Sequence, residues 1–343
     1  MLYHCGEGDE RPVKIAVDAM GGDYAPLEIV KGAVDAVNSG LAQVILVGSQ
    51  DLIAAELEKY RYPHDAITVR HAPEAIGMDE HPASAVRRKK NSSLVVATRL
   101  VKEGEASAII SAGSTGAQMA AALFELGRIP GVDRPGIATV IPSPKGPKVL
   151  IDSGANVDVK TGHLLQFAYL GSHYARQVLG IGNPRVALLN VGSEPTKGTE
   201  VVIEAYQALS KADSLLFAGN VEGRDFLTAD VDVIVCDGFV GNIALKLLEG
   251  TVSTLTGMIR DEVKRNPLRM LGGMLVKPAF GDIFRQLDYS EYGGAPLLGV
   301  NGISFICHGS SRARSIQNAI RYTVKAVQEH LIETLQKGLS KRD

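Results

Sequence analysis

Five short segments combine glycines with groups that bind or stabilise negative charge: residues 18–23, 111–117, 152–156, 190–198 and 237–242. Ser111-Ala112-Gly113-Ser114-Thr115-Gly116-Ala117 has the character of an anion cradle. Gly113 and Gly116 let backbone approach a ligand, Ser114 and Thr115 add hydroxyl donors, and free N–H groups at a helix start favour negative charge. The segment matches neither G-x-G-x-x-G nor G-x-x-x-x-G-K-[ST], so it supports neither a dinucleotide site nor a P-loop. A tight strand-to-helix turn with an N-cap would read the same way. Asp18 and Asp23 flank the pair Gly21-Gly22. That arrangement suits orienting a base, binding a hydroxyl or holding a metal, and equally an Asp turn with an N-cap. No further carboxylate or histidine stands nearby at ligand spacing, so no metal is expected.

Asp152 to Asn156, Asn190 to Gly198, and Asp237-Gly238 through Gly241-Asn242 are polar segments of the same kind. Lys197, between Thr196 and Gly198, is a mobile cation suited to phosphate or a developing oxyanion; a solvated loop lysine is the plainer reading. Cys307-His308 suggests a thiol–imidazole dyad, but neighbours on a strand point to opposite faces, which leaves His308 as the functional candidate. Cys236 and Cys307 read as small buried apolar groups. With no G-x-S-x-G elbow, a serine hydrolase is not expected.

Two basic stretches remain. Arg87, Arg88, Lys89 and Lys90 form the densest positive run, which is either a solvated face or a surface that steers an acidic partner. From 258 to about 290 the chain sets Lys264, Arg265, Arg269 and Lys277 among Met258, Met270, Leu271, Met274 and Leu275. Such a basic amphipathic segment, interrupted by Gly272-Gly273, suits a membrane surface or an acidic partner, and equally a dimer interface or a core helix.

Continuous β-branched runs position these segments. Val13–Val17, Gln43–Val47, Ala106–Ser111, Lys148–Ile151, Arg185–Asn190, Ser214–Ala218 and Val231–Cys236 each end close to a glycine, and helix-length segments separate them. The pattern predicts βαβ units and a mostly parallel sheet covered on both faces, with ligands beyond the carboxyl ends of strands. Glycines 21, 22, 113, 116, 154, 192, 198, 219, 238, 241 and 309 are therefore expected along one edge of that sheet, which accounts for much of the Gly content of roughly 11% against an ordinary ~7%. With 343 residues, 45% hydrophobic, 22% charged and a net charge of -2, the composition is that of a globular chain and excludes a generic nucleic-acid binder. Three cysteines without paired spacing point to a reducing compartment. Residues 1–12 are too polar for a signal peptide and read as a short N-terminal extension, native or added; 13–338 reads as a single domain.

Taken together, Ile15–Asp23, Ala85–Ser93, Ile110–Ala117, Asp152–Asp158, Leu189–Ser193, Gly219–Glu222, Asp237–Asn242, Tyr292–Ala295 and His308–Ser311 resemble, in order, the bacterial phosphate acyltransferases of the PlsX family. The resemblance implies a Rossmann-like three-layer α/β/α sandwich with a projecting helical segment, a homodimer, and no cofactor. It implies transfer of a long-chain acyl group from acyl-carrier protein to inorganic phosphate, at the cytoplasmic face of the membrane, feeding a glycerol-3-phosphate acyltransferase. Within that frame the chemistry assigns phosphate to Gly113–Gly116 with Lys197, and adds Gly21, Gly22, Asp152 and Asn156 to the binding set. Asn220, Asn242 or His308 would contact the oxyanion or thioester, with Asp18 or Asp237 orienting them. Arg87–Lys90 would receive the acidic carrier protein, and 264–277 the anionic lipid. The rival readings are an acyl-CoA-dependent phosphotransacetylase, a metal-dependent hydroxyacid dehydrogenase and a non-catalytic membrane scaffold.

Overall fold

The computed structural model describes residues 13–287 and 291–340, so the expected N-terminal extension lies outside the described residues. In chain order the elements are β1 (Lys14–Asp18), α1 (Leu27–Asn38), β2 (Gln43–Gly48), α2 (Gln50–Leu57), β3 (Ile67–His71), α3 (Pro82–Arg88), α4 (Ser93–Lys102), β4 (Ala108–Ser111) and α5 (Thr115–Glu125). Next come β5 (Gly136–Ile141), β6 (Lys148–Ile151), α6 (Thr161–Gln177), β7 (Arg185–Asn190), α7 (Glu200–Leu209), β8 (Leu216–Glu222), β9 (Val233–Val235), α8 (Gly238–Lys264) and α9 (Pro267–Leu287). The chain closes with β10 (Ala295–Leu298), β11 (Ile303–Ile306), α10 (Ala313–Gln328) and α11 (Leu331–Ser340). These elements form two compact units, Met1–Gly127 with Gly302–Gln328 and Arg128–Asn301 with Glu329–Asp343. No Pro- or Ser-rich linker marks the passages at 127, 301 and 328, which is why the sequence reads as one domain.

The first unit orders its strands β3-β2-β1-β4-β11, and every pairing is parallel. Ile15, Ala16, Val17, Ile109 and Ile110 are wholly buried, as a strand covered on both faces requires. Each Val or Ile so buried contributes about 1.5–3 kcal/mol. Against one side lie Leu94 and Ala97 of α4 with Ala117 and Ala121 of α5, in one cluster with Ala16, Ile45 and Ile109. α1 and α10 pack closely on each other, where a Cβ on Gly32 would lie 2.6 Å from that of Ile316.

The second unit orders its strands β10-β5-β6-β9-β7-β8. Here β6, β9, β7 and β8 run parallel, while β10–β5 and β5–β6 are antiparallel. In both units the glycines after β1, β4, β6, β7, β9 and β11 follow carboxyl ends of parallel strands, as expected. Gly219 departs from this. It sits inside β8 at φ +92°, where the β7–β8 register shifts between Val186 and Leu188, so it serves a bulge and not a strand end. The strand consequently runs on to Glu222 and carries Asn220 within it.

The amphipathic stretch also differs from expectation. Gly272 and Gly273 do not interrupt it: α9 runs through both, and through Pro278. Gly273 packs against the end of α8, where a Cβ would stand 2.5 Å from Val263 Cγ1. That close approach offsets the ~1 kcal/mol cost of a helical glycine.

Candidate active site

In the first unit, three strand ends meet. Asp18, the last residue of β1, is buried, and its Oδ2 accepts a 2.7 Å hydrogen bond from Ser111 Oγ at the end of β4. Ser111 Oγ in turn accepts the Gly113 N–H at 3.0 Å, and Asp18 Oδ1 accepts that of Met20 at 3.1 Å. Burial pushes the Asp18 carboxyl above its ordinary value, opposed by hydrogen bonds from Ser93, Ser111 and the amides of Met20 and Gly21. Gly21 must lack a side chain, because a Cβ there would lie 2.7 Å from Asp18 Oδ2 and 2.8 Å from Gly113 N. The β11 loop closes against the same turn: Gly309 O accepts from Asp23 N at 2.9 Å, and a Cβ on Gly22 (φ +105°) would meet Gly309 O at 3.2 Å.

Two expectations for the cradle change. The Gly113 N–H is already bound to Ser111, so it is not a free donor for an anion. Gly116 is small because a Cβ would fall 2.7 Å from Pro82 Cγ of α3, a packing reason. What stays available is the first turn of α5. Ser114 Oγ caps it by accepting the Ala117 N–H at 3.4 Å, the exposed Thr115 follows, and the amides of Thr115 and Gly116 have no intrahelical acceptor by position. His308 is exposed on the neighbouring loop. Its Nδ1 accepts the Ser310 N–H at 3.2 Å and lies 2.7 Å from Ser310 Oγ, which places the ring proton on Nε2 and makes that atom a donor.

In the second unit, Asp152 and Asn156 are not free to bind phosphate. Asp152 Oδ1 accepts from the amides of Ile137 (3.0 Å), Gly154 (3.2 Å) and Ala155 (2.9 Å); Oδ2 accepts from Asn156 N (2.7 Å) and Nδ2 (2.9 Å). Asn156 Nδ2 also donates to Pro135 O at 2.7 Å, and its carbonyl accepts from Gly238 N. Both residues build the turn; burial lifts the Asp152 carboxyl as it does Asp18. α8 enters on this turn. Asp237 caps it by accepting from Val240 N at 2.8 Å, and Gly241 passes so close that a Cβ would stand 2.0 Å from Asp152 O. One turn into α8, half-buried Asn242 lies over Gly154 with its amide unpartnered among the described residues.

The other polar group of this unit is the exposed loop after β7. Lys197 stands there with its ammonium unpaired among the described residues. Asn220 does not point to an oxyanion: its Nδ2 donates to Glu194 O at 2.9 Å, because β8 runs on beside this loop. Ser111 and Asn190 open two of the candidate segments, yet the sequence assigned no role of their own to them or to Ser93. A hydroxyl or amide at a strand end carries no local signal when its partner is far along the chain, as Asp18 is from Ser111.

Neither basic stretch is a free cluster of cations. Glu80 accepts from Lys89 at 2.6 Å, from the Gly77 amide at 2.8 Å and from Arg88 at 2.9 Å, which together hold its carboxyl down at about 2; Arg87 stacks on the Phe124 ring, 4.9 Å from the centroid. The exposed Lys90 is unpaired among the described residues. On the other stretch, Arg265 and Arg269 both pair with Glu262. The apolar side chains there are open: Leu268 and Leu275 are each 79% exposed, Met274 65% and Leu271 60%. Both described cysteines are buried thiols, Cys307 pushed up to about 12 and Cys236 well above its ordinary value, so neither is a nucleophile.

Residues 13–334 match the family model described as fatty acid synthesis protein. A phosphate acyltransferase of Heliobacterium modesticaldum is 56% identical over 95% of this chain and 98% of its own length. One of Desulforamulus reducens is 54% identical over 95% and 97%. Among solved structures, a phosphotransacetylase from Streptococcus pyogenes aligns with TM-score 0.63 at 18% identity over 92% of this chain and 94% of its own. A 4-hydroxythreonine-4-phosphate dehydrogenase from Klebsiella pneumoniae gives 0.52 at 15% over 94% and 100%. At that distance the structural likeness establishes the α/β fold alone. The sequence relatives establish more: this chain belongs to the phosphate acyltransferase family and is an enzyme that transfers an acyl group to phosphate in fatty acid synthesis.

Proposed function

We propose that the acyl donor is a long-chain thioester of acyl-carrier protein and that the acceptor is inorganic phosphate, held at the first turn of α5. One observation carries the reading: the Asp18–Ser111–Gly113 hydrogen bonds fix the β4–α5 turn so that the Thr115 and Gly116 amides, with the Thr115 hydroxyl, face outward at a helix N-terminus. A phosphate oxygen attacks the thioester carbonyl carbon, and the C=O electron pair moves onto oxygen. Collapse of that oxyanion breaks the C–S bond, and the proton of hydrogen phosphate ends on the thiol. The products are acyl phosphate and free carrier protein. No protein nucleophile is needed, which agrees with two inert thiols. On the first unit, His308 Nε2–H is a donor of the kind that serves an oxyanion. On the second unit, the unpaired Lys197 ammonium and the Asn242 amide are groups of the kind that take up phosphate or oxyanion charge.

Arg87 and Lys90, the members of the basic run not engaged by Glu80, would meet the acidic carrier protein. The open apolar side chains of α9, with Lys264, support a resting place on an anionic membrane surface at the cytoplasmic side, where a membrane glycerol-3-phosphate acyltransferase would take the product. A homodimer fits the same apolar surface. No helix among the described residues is long and apolar enough to cross a membrane.

The test is acyl-phosphate formation by the purified chain, with acyl-carrier protein and acyl-CoA offered side by side. Carrier protein is expected to be the better donor, and preference for CoA would overturn the donor assignment. Lys197→Ala should lower turnover about a hundredfold while the thermal midpoint holds; unchanged turnover would remove Lys197 from the chemistry.

A further inference from the structure

The loop carrying Lys197 is exposed along almost its whole length, yet its backbone is tied at three points. Asn190, the last residue of β7, reaches across the loop's mouth. Its Nδ2 donates to Lys197 O at 2.9 Å, and its Oδ1 accepts the Val191 N–H at 2.8 Å. One amide side chain thus joins the residue that opens the loop to the lysine near its far end. The Lys197 N–H donates to Glu194 O at 3.2 Å, and that same carbonyl accepts from Asn220 Nδ2 on β8. Gly198, at φ +101°, lets the chain turn back over Asn190: a Cβ there would lie 2.5 Å from Asn190 Oδ1. Both polar backbone atoms of Lys197 are therefore spoken for, while its side chain is unpaired among the described residues.

We infer that Asn190 is a positioning residue for the acyl transfer, holding the Lys197 backbone so that the ammonium is aimed before substrate arrives. The inference rests on the reading of Lys197 given above. The physical case is one of preorganisation. A free lysine side chain on an untied loop loses backbone as well as rotamer entropy when it engages an anion, and the ties remove the backbone share beforehand. An asparagine is specifically suited to this, since it offers one donor and one acceptor on a short stem. Aspartate would keep the Val191 bond but set a carboxylate oxygen against Lys197 O. Alanine would release both.

The experiment is a double-mutant cycle on the full chain, following acyl-phosphate formation at varied phosphate. Asn190→Ala should lower turnover or phosphate kcat/KM about ten- to a hundredfold, with the thermal midpoint little changed because the loop is exposed. Asn190→Asp should fall nearly as far. In the Lys197→Ala background, Asn190→Ala should add no further loss. A loss that multiplies with that of Lys197→Ala, or an Asn190→Ala enzyme as active as the parent, would overturn the positioning role and leave the Lys197 reading standing. A silent Lys197→Ala would instead overturn that reading itself. Should Asn190→Ala fail to fold, Asn220→Ala, which releases only the Glu194 tie, gives the same cycle with a smaller loss; a silent or multiplicative Asn220→Ala would then count against the inference.

Discussion

Asp18 and Asp152 occupy equivalent places in their two units, each a buried carboxylate where a parallel strand meets a glycine turn, and they are used differently. Asp152 folds back on its own turn and takes five N–H bonds, most from residues 154–156. Asp18 reaches outward, to the hydroxyls of Ser93 on α4 and Ser111 on β4. One carboxylate builds a turn. The other couples separate segments, and it passes that coupling through Ser111 to the amide just ahead of α5. A carboxylate saturated by its own loop has no capacity left for a ligand, whereas one bound through hydroxyls sets the position of groups that do.

The largest effect that separates the two is on stability. Asp152→Ala strands several buried N–H groups and should cost about 3–5 kcal/mol in urea unfolding; a cost below about 1 kcal/mol would break the contrast. Ser111→Ala should reverse the emphasis. It removes one hydrogen-bonded link, about 1 kcal/mol of stability, yet loosens the α5 turn enough to lower phosphate kcat/KM about tenfold. Equal losses in Asp152→Ala and Ser111→Ala, on either measurement, would show that the carboxylates do the same job.

The smallest effects lie in pH dependence. Both aspartates have folded values above the ordinary 3.8, so their favourable share is complete below that value and is lost as pH rises through the raised one. The stability of the parent chain relative to Asp152→Asn should therefore grow as pH is lowered from 7 toward 4. Glu80 behaves oppositely. Its carboxyl is held at about 2 by Lys89, so its share is present above 4.5 and fades as pH falls toward 2. Parent minus Glu80→Gln should shrink over that range. Chemical unfolding across pH reads both slopes, and matching signs would refute the assignment.

Much of the fold is legible in the chain because a strand buried on both faces must be continuously apolar. Ile15–Val17 and Ile109–Ile110 announce themselves, and so do the glycines that follow. The antiparallel β5 and β10 are not legible, since nothing in Gly136–Ile141 or Ala295–Leu298 specifies the direction of a neighbour. Of the candidate site, Lys197 and Asn242 stand where loop and helix-start chemistry place them. Asp152 and Asn156 read as ligand groups from residue type, yet their hydrogen bonds are spent building a turn, while Asn220 gives its Nδ2 to Glu194 O. Residue type reports what a side chain offers, and only the fold decides who receives it.

Neither unit is continuous in sequence, and this governs how the chain leaves the ribosome. β4 pairs with β1 on one side and β11 on the other, and β11 is made 192 residues after β4 ends, counting from Ser111 to Ile303. At synthesis rates of about 5–20 residues per second that interval is on the order of ten to forty seconds. For all of it, a nascent first sheet carries an apolar edge strand with unpaired amides and carbonyls, the kind of edge that recruits other strands. The face of α1 that will receive α10 waits longer still. The same topology that brings β1, β4 and β11 together at one rim therefore leaves that edge of the newborn chain open until β11 emerges, and the α1 face open until α10 follows.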